Sequence, residues 1–196
     1  MSFLQIINGI TNKAIYYWDN FFYGGFGRNS KVIQPLRIKG KRRIFIGDEV
    51  TILNNVRMET IRTWGEHLLN GRLHIGNNTT FEQCCHIIAA NEVKIGDNCV
   101  FSAFVYISDC SHGYNPDESI MNSDLQIKKV SIGNHCFVGI GSCIMPGVTL
   151  GDNVVIGANS VVVNNIPSNF MAVGSPAKVI KKYSFELCDW INVESL

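Results

Sequence analysis

The sequence predicts an all-β solenoid, a parallel coil that turns a corner every six residues. Between Ile132 and Pro167 an aliphatic residue returns at every sixth position: Ile132, Val138, Ile144, Leu150, Ile156 and Val162. Gly follows it at positions 133, 139, 151 and 157. Four places after it sits a compact side chain, Cys136, Ser142, Val148, Val154 or Ser160, with Ile166 the largest. A period of six fits neither a helix nor a simple two-faced strand, yet it is a multiple of two, so strand alternation survives inside each unit. The chain must bend between units. Three bends return it above its start, giving about eighteen residues per triangular coil. Inward residues then stack in a column, and each coil buries its face only against its neighbours.

Taken in order, residues 1–27 are apolar and aromatic, with a helix expected over about residues 3–22. Asn8, Asn12, Lys13, Asp19 and Asn20 interrupt the apolar run, which argues against a signal peptide and a membrane span. Capping the open end of the coil and lying on a membrane surface are the two readings of this segment. Residues 28–182 form the coil domain. Its first turn is irregular, with Arg37, Lys39, Lys41, Arg42 and Arg43 interleaved with Leu36, Ile38 and Ile44. That pattern puts charge outward, with an anionic ligand or lipid headgroup as the alternative. Clean units begin at Ile46. Residues 59–72 leave the pattern as an excursion, units resume at Ile75, the phase shifts at Val93 and Lys94, and the run ends at Ile107. The polar stretch from about 108 to 129 holds Gly113 and Pro116 and no repeat. A loop this long in a compact solenoid is functional or disordered. The tail, 183–196, reads as a short helix through Phe185, Cys188 and Trp190.

The chain has 196 residues, 46% of them hydrophobic, and a net charge of +1. That suits one domain with a sizeable core and argues against bulk nucleic-acid binding. Its seven cysteines include no CxxC pair. Cys85, Cys99 and Cys136 fall at the compact position of their units, as buried free thiols would, and this points to a reducing compartment.

These units, with the closing Gly174, Pro176, Ala177 and Lys178, resemble the hexapeptide-repeat acyltransferases of the galactoside, maltose and polysaccharide O-acetyltransferase type. The likeness spans about residues 46–182. It implies a left-handed parallel β-helix, a hand that general crossover rules would not choose. It also implies acetyl-CoA as co-substrate, no metal and a sugar or saccharide acceptor. A homotrimer with active sites between subunits and a cytoplasmic enzyme complete the picture, with peripheral membrane contact open to the N-terminal segment.

Acyl transfer from a thioester to a hydroxyl needs a base, an oxyanion partner and a cleft that brings two substrates together. Histidine titrates near neutrality and is the natural base. Of His67, His74, His86, His112 and His135, only His112 lies where the resemblance puts the base, at the mouth of the long excursion. His86 ends a unit near the expected cleft as a substrate contact. Asp109, close to His112 in sequence, is expected to contact the substrate, and Asp117, Glu118 and Asp124 lie in the loop. The residue that orients His112 is open among these acids. Many relatives have Asn where this chain has Glu82, and the resemblance implies that this position binds the acceptor. It also implies donor contacts at Ile140, Gly141, Ser142 and Ala158, with Lys178, Lys181 and Lys182 facing the coenzyme phosphates. Val163 belongs with these donor positions, and with Asn164 it replaces the Thr and Lys that relatives have after the last unit. Three alternatives accompany this reading. A γ-type carbonic anhydrase needs paired histidines five apart, which are missing here. An N-acetyltransferase on an amino sugar and a non-catalytic β-helix module are the other two.

Overall fold

The computed structural model describes residues 21–117, 119–120 and 123–193. The helix expected over 3–22 lies outside these residues except for Phe21 and Phe22, which form a turn. Three parallel sheets make the sides of a prism. The first contains Gly25–Phe26, Ile44–Ile46, Arg72–Ile75, Glu92–Ile95, Val130–Ile132 and Thr149–Leu150. The second contains Lys31–Val32, Thr51–Ile52, Thr80–Phe81, Val100–Phe101, Phe137–Val138 and Val155–Ile156, extended by Phe170–Gly174, Ala177–Ser184 and Asp189–Asn192. The third contains Arg37–Lys39, Arg57–Thr60, His86–Ala89, Tyr106–Ser108, Cys143–Ile144 and Val161–Val162. The chain visits first, second and third side in turn, and the fold is a left-handed parallel β-helix.

The repeat period becomes the core directly. Ile46, Ile75, Ile95, Ile132 and Leu150 point inward from the first side. Phe81, Phe101, Val138 and Ile156 do so from the second, and Met58, Ile87, Ile107, Ile144 and Val162 from the third. Each such burial contributes about 1.5–3 kcal/mol. Phe81 and Phe101 stack at 4.5 Å between ring centroids, filling with two rings a width that aliphatic residues fill elsewhere.

The compact position is also a donor. Ser30, Thr79 and Ser142 hydroxyls donate to the carbonyls of Gly47, Gly96 and Gly157 at 2.6, 3.1 and 2.9 Å. The Cys99 and Cys136 thiols reach those of Gly133 and Gly151 at 3.2 and 3.1 Å. Serine, threonine and cysteine share this place because each is small and can hydrogen-bond the next coil. At the first-to-second corner the residue after Gly carries the reverse link. Asn77 Oδ1 accepts from the Asp48 amide, Asp97 Oδ1 from Asn77, Asn134 Oδ1 from Asp97 and Asp152 Oδ1 from Asn134, all at 2.6–2.9 Å. The next residue adopts left-handed backbone, as at Asn78 (φ 51°), Asn98 (φ 57°) and His135 (φ 56°), a conformation that Asn and His tolerate. A Cβ at Gly96 would stand 2.6 Å from the Gly133 carbonyl oxygen, so only glycine lets these coils close.

Two local expectations change. The tail helix through Phe185, Cys188 and Trp190 is instead a hairpin, Ala177–Ser184 against Asp189–Asn192, in which Trp190 pairs with Tyr183. The open edge of the second sheet offers unpaired backbone groups, and strand addition satisfies them better than a short isolated helix would. The first excursion begins at Ile61 and not at residue 59. Glu59 and Thr60 continue a strand paired with Ile88 and Ala89. Glu59 is tied there to Arg37 at 2.9 Å and Arg57 at 3.0 Å.

Candidate active site

Both excursions leave the prism at the same corner, where the third side passes to the first. The earlier one folds as a short hairpin, Thr63–Trp64 against His67–Leu68. The later one is anchored by a second antiparallel hairpin, Cys110–His112 against Leu125–Ile127, with His112 opposite Leu125. The two interlock. Trp64 Nε1 donates to the Ser123 carbonyl at 2.9 Å, and His67 Nε2 meets Asp124 Oδ1 at 3.1 Å. Trp64 also presents its ring to His112, with 4.9 Å between centroids at 67°.

His112 is thereby fixed against an aromatic wall. Its Nδ1 is shut off from solvent and has no hydrogen-bond partner. Nε2 is the nitrogen left to meet a ligand.

Asp109 requires a correction. Its side chain is wholly buried, and its carboxylate accepts from the Ala90 and Asn91 amides at 2.6 and 2.7 Å. It touches the corner of the coil below, not a substrate. Amides at a bend have no strand partner and take the nearest acceptor. Burial pushes the Asp109 carboxyl above its ordinary value, and the Ala90 and Asn91 amides pull it back in part. Asp109 therefore braces the root of the hairpin that carries His112. Cys110, one residue on, is buried, and burial raises its thiol as well. That makes it a poor nucleophile.

The remaining residues lie at two corners, on the third side and on the closing strand. Glu82, Ile140, Gly141 and Ala158 lie along the second-to-third corner, stacked through successive coils. One Glu82 oxygen, Oε2, accepts from the Ala103 amide at 3.1 Å. Ile140 and Ala158 are exposed. The Ser142 side chain turns inward, so only its backbone can meet a ligand. His86 stands on the outer face of the third side, between Arg57 and Tyr106 in the pairing register. Val163 is exposed at the third-to-first corner of the last coil. Lys178 and Lys181 lie on the closing strand Ala177–Ser184, the former exposed and the latter half-buried. One chain thus puts the histidine on one edge and the small-residue edge on another, with the third sheet between them. Among the described residues no group of three or more His, Cys, Asp or Glu side chains is placed to hold a metal ion. No helix among them is long and apolar enough to cross a membrane.

Trp64 is the residue of this corner that sequence reasoning missed. The signal was available in the repeat phase, because both interruptions follow a third-side strand and must emerge at one corner.

Comparison with known proteins agrees with this architecture. The family model described as hexapeptide repeat of succinyl-transferase matches residues 129–163. The Escherichia coli protein WbbJ, named for lipopolysaccharide biosynthesis O-acetyl transfer, is 30% identical over 197 residues, covering 96% of this chain and 92% of that protein. A solved galactoside acetyltransferase in complex with coenzyme A is 28% identical with a TM-score of 0.61, over 79% of this chain and 67% of that chain. A mutant of AntD, an N-acyltransferase from Bacillus cereus solved with dTDP and coenzyme A, shares the fold at a TM-score of 0.73 and 19% identity, over 88% of this chain and 91% of that one.

Proposed function

The chain belongs to the hexapeptide-repeat acyltransferases, and we propose that it transfers an acetyl group from acetyl-CoA to a sugar hydroxyl with His112 as general base. The acceptor is a saccharide of surface-polysaccharide or oligosaccharide modification. The observation that carries this reading is the seating of His112 against Trp64 at the corner where the two excursions meet, in a chain similar over nearly its whole length to a protein named for O-acetyl transfer.

The steps follow from the residues. His112 accepts the proton of the acceptor hydroxyl as its oxygen attacks the thioester carbonyl carbon. A backbone amide near Ile140 or Gly141 faces the developing oxyanion. The carbon–sulfur bond breaks, and the leaving thiolate takes the proton back from His112. No acyl-enzyme forms, because Cys110 is buried. Glu82 and His86 contact the acceptor, and Lys178 and Lys181 meet the donor phosphates.

The separation of His112 from the Ile140 and Ala158 edge supports a homotrimer, in which one subunit's histidine faces its neighbour's donor edge. Exposed apolar groups lie on both edges. Phe104 is 61% exposed beside Ile140, and Tyr114 is 77% exposed beyond His112.

His112→Ala should lower kcat by about 10² to 10⁴-fold, the usual worth of general-base catalysis, with little change in the KM for acetyl-CoA. A variant turning over at the parent rate would dismiss His112 as the base. Transfer to an amino group, the second reading, is separated from this one by running the same assay on amino-sugar and hydroxyl acceptors.

A further inference from the structure

A cavity of about 550 Å³ opens at the third-to-first corner of the first coils, toward the other end of the prism from the closing strands. Lys39, Lys41, Arg42, Arg43, Thr60 and Arg62 line it. Its basic side chains come from three separate elements: the strand Arg37–Lys39, the 3₁₀ turn Lys41–Arg43 and the first excursion. The turn is set by Gly40 in left-handed backbone (φ 77°), whose carbonyl accepts from the Thr60 hydroxyl at 2.9 Å. No carboxylate lines the cavity among the described residues. Glu59, on the adjoining strand, is already engaged by Arg37 and Arg57. Arg43 Nε is buried and has no hydrogen-bond partner. A buried guanidinium donor without an acceptor is unfavourable unless an acceptor enters.

The donor set suits phosphoryl oxygens: arginine forks for paired oxygens and lysine point charges beside them. Phe22 adds an apolar wall. The cavity is joined to the catalytic region by covalent structure. Arg62 lines it, and two residues on, Trp64 packs against His112. Thr60 lies two coils before the strand that leads to His112. Coils repeat at about 4.8 Å, so the cavity is on the order of 10 Å from His112 along the prism. A sugar attached to a phosphate spans such a gap.

We propose that this cavity holds the phosphate or diphosphate of the acceptor, so that the substrate is a phosphoryl-linked sugar whose hydroxyl reaches His112. This rests on the assignment of His112 as the base. It is separate from the donor, whose phosphates are assigned to the closing strand.

The test uses inorganic pyrophosphate as probe. Calorimetric titration should show binding to the parent protein that weakens with added salt. The Arg42→Gln/Arg62→Gln double variant, changed at two exposed positions, should bind about tenfold or more weakly. In acetyl transfer, that variant should raise the KM for a nucleotide-diphosphate sugar about tenfold more than the KM for a neutral oligosaccharide. Equal pyrophosphate affinity in parent and variant would overturn the proposal, as would displacement of pyrophosphate by saturating acetyl-CoA. Flotation with phosphatidylglycerol vesicles separates the two sources of phosphate. If the variant loses vesicle binding but keeps its KM for the soluble diphosphate sugar, the cavity reads a bilayer and the acceptor assignment is wrong. Absence of acetyl transfer to any sugar by the parent would refute the proposed activity, whereas the pyrophosphate titration would still decide the cavity.

Discussion

Replacing Asp109 by alanine tests whether the hairpin bearing His112 is braced from beneath. The carboxylate takes two amide hydrogens, from Ala90 at 2.6 Å and Asn91 at 2.7 Å. Its side chain is fully buried, as is Ala90. Alanine leaves both donors without an acceptor. The buried Ala90 donor left unsatisfied costs about 1–3 kcal/mol, while the Asn91 amide, on an exposed residue, can turn to water and costs less. The variant no longer buries a carboxylate, which returns part of this loss. The net expectation is a destabilisation of about 1–2 kcal/mol. In a chain of this length each kcal/mol lowers Tm by about 2–4 °C, so a fall of roughly 2–8 °C is expected. Asp109→Asn keeps the shape and one acceptor, and should fall between parent and alanine variant. The assays are urea unfolding and thermal melting at matched protein concentration, since subunit association shifts both. Because the same residue roots the strand Cys110–His112, kcat should drop while the KM for acetyl-CoA holds. An alanine variant within about 0.5 kcal/mol of the parent, the range of an ordinary surface change, would refute the brace.

Four other outcomes are open to measurement. The hydrogen-bonded Arg57 guanidinium holds the Glu59 carboxyl below its ordinary 4.5, with Arg37 and Lys39 adding to the effect. Its stabilising contribution is therefore present above pH 4.5 and lost as pH falls through the folded-state value. Glu59→Gln should be less stable than the parent at pH 7, and the gap should close below pH 4.5; a gap that widens on acidification contradicts the ion-pair account. On the donor side, Lys178→Ala with Lys181→Ala should raise the KM for acetyl-CoA more than that for the acceptor, and less so in high salt. Ala158→Trp should block coenzyme binding while circular dichroism keeps its strand signature, and normal binding would move the groove elsewhere. Sedimentation equilibrium should report about three times 21.8 kDa, and a fully active monomer would end the trimer proposal.

The coil was legible because one inward column dictates residue type at fixed intervals. Val138, Ile144 and Ile156 could be named as core from spacing alone, and Cys85, Cys99 and Cys136 as buried thiols; all are buried. For Cys85, burial pushes the thiol up to about 12. Residues that leave the lattice were harder to read. Asp109 sits three positions before His112, but the strand turns its carboxylate toward Ala90, a contact set by the coil below and invisible to local spacing. Trp64 and His112 lie far apart in sequence and meet only because their excursions share a corner. The tail misled because the spacing of Phe185, Cys188 and Trp190 suits a helix turn, while the deciding partner was the open edge of the second sheet.

The amide links at the first-to-second corner join residues separated by 20, 29, 20, 37, 18 and 16 positions, from Arg28 to Ser168. Their geometry is repeated although the contour length between them more than doubles. The stack therefore does not count residues; it only requires that each turn come home. Whatever extra chain a turn carries is paid out at the third-to-first corner, where it disturbs no rung. New guest segments spliced between Ile61 and Gly71, or between Gly113 and Asp124, would alter what the protein grips while leaving its scaffold in register. A single residue added at the opposite corner would shift every side chain that follows it within that turn.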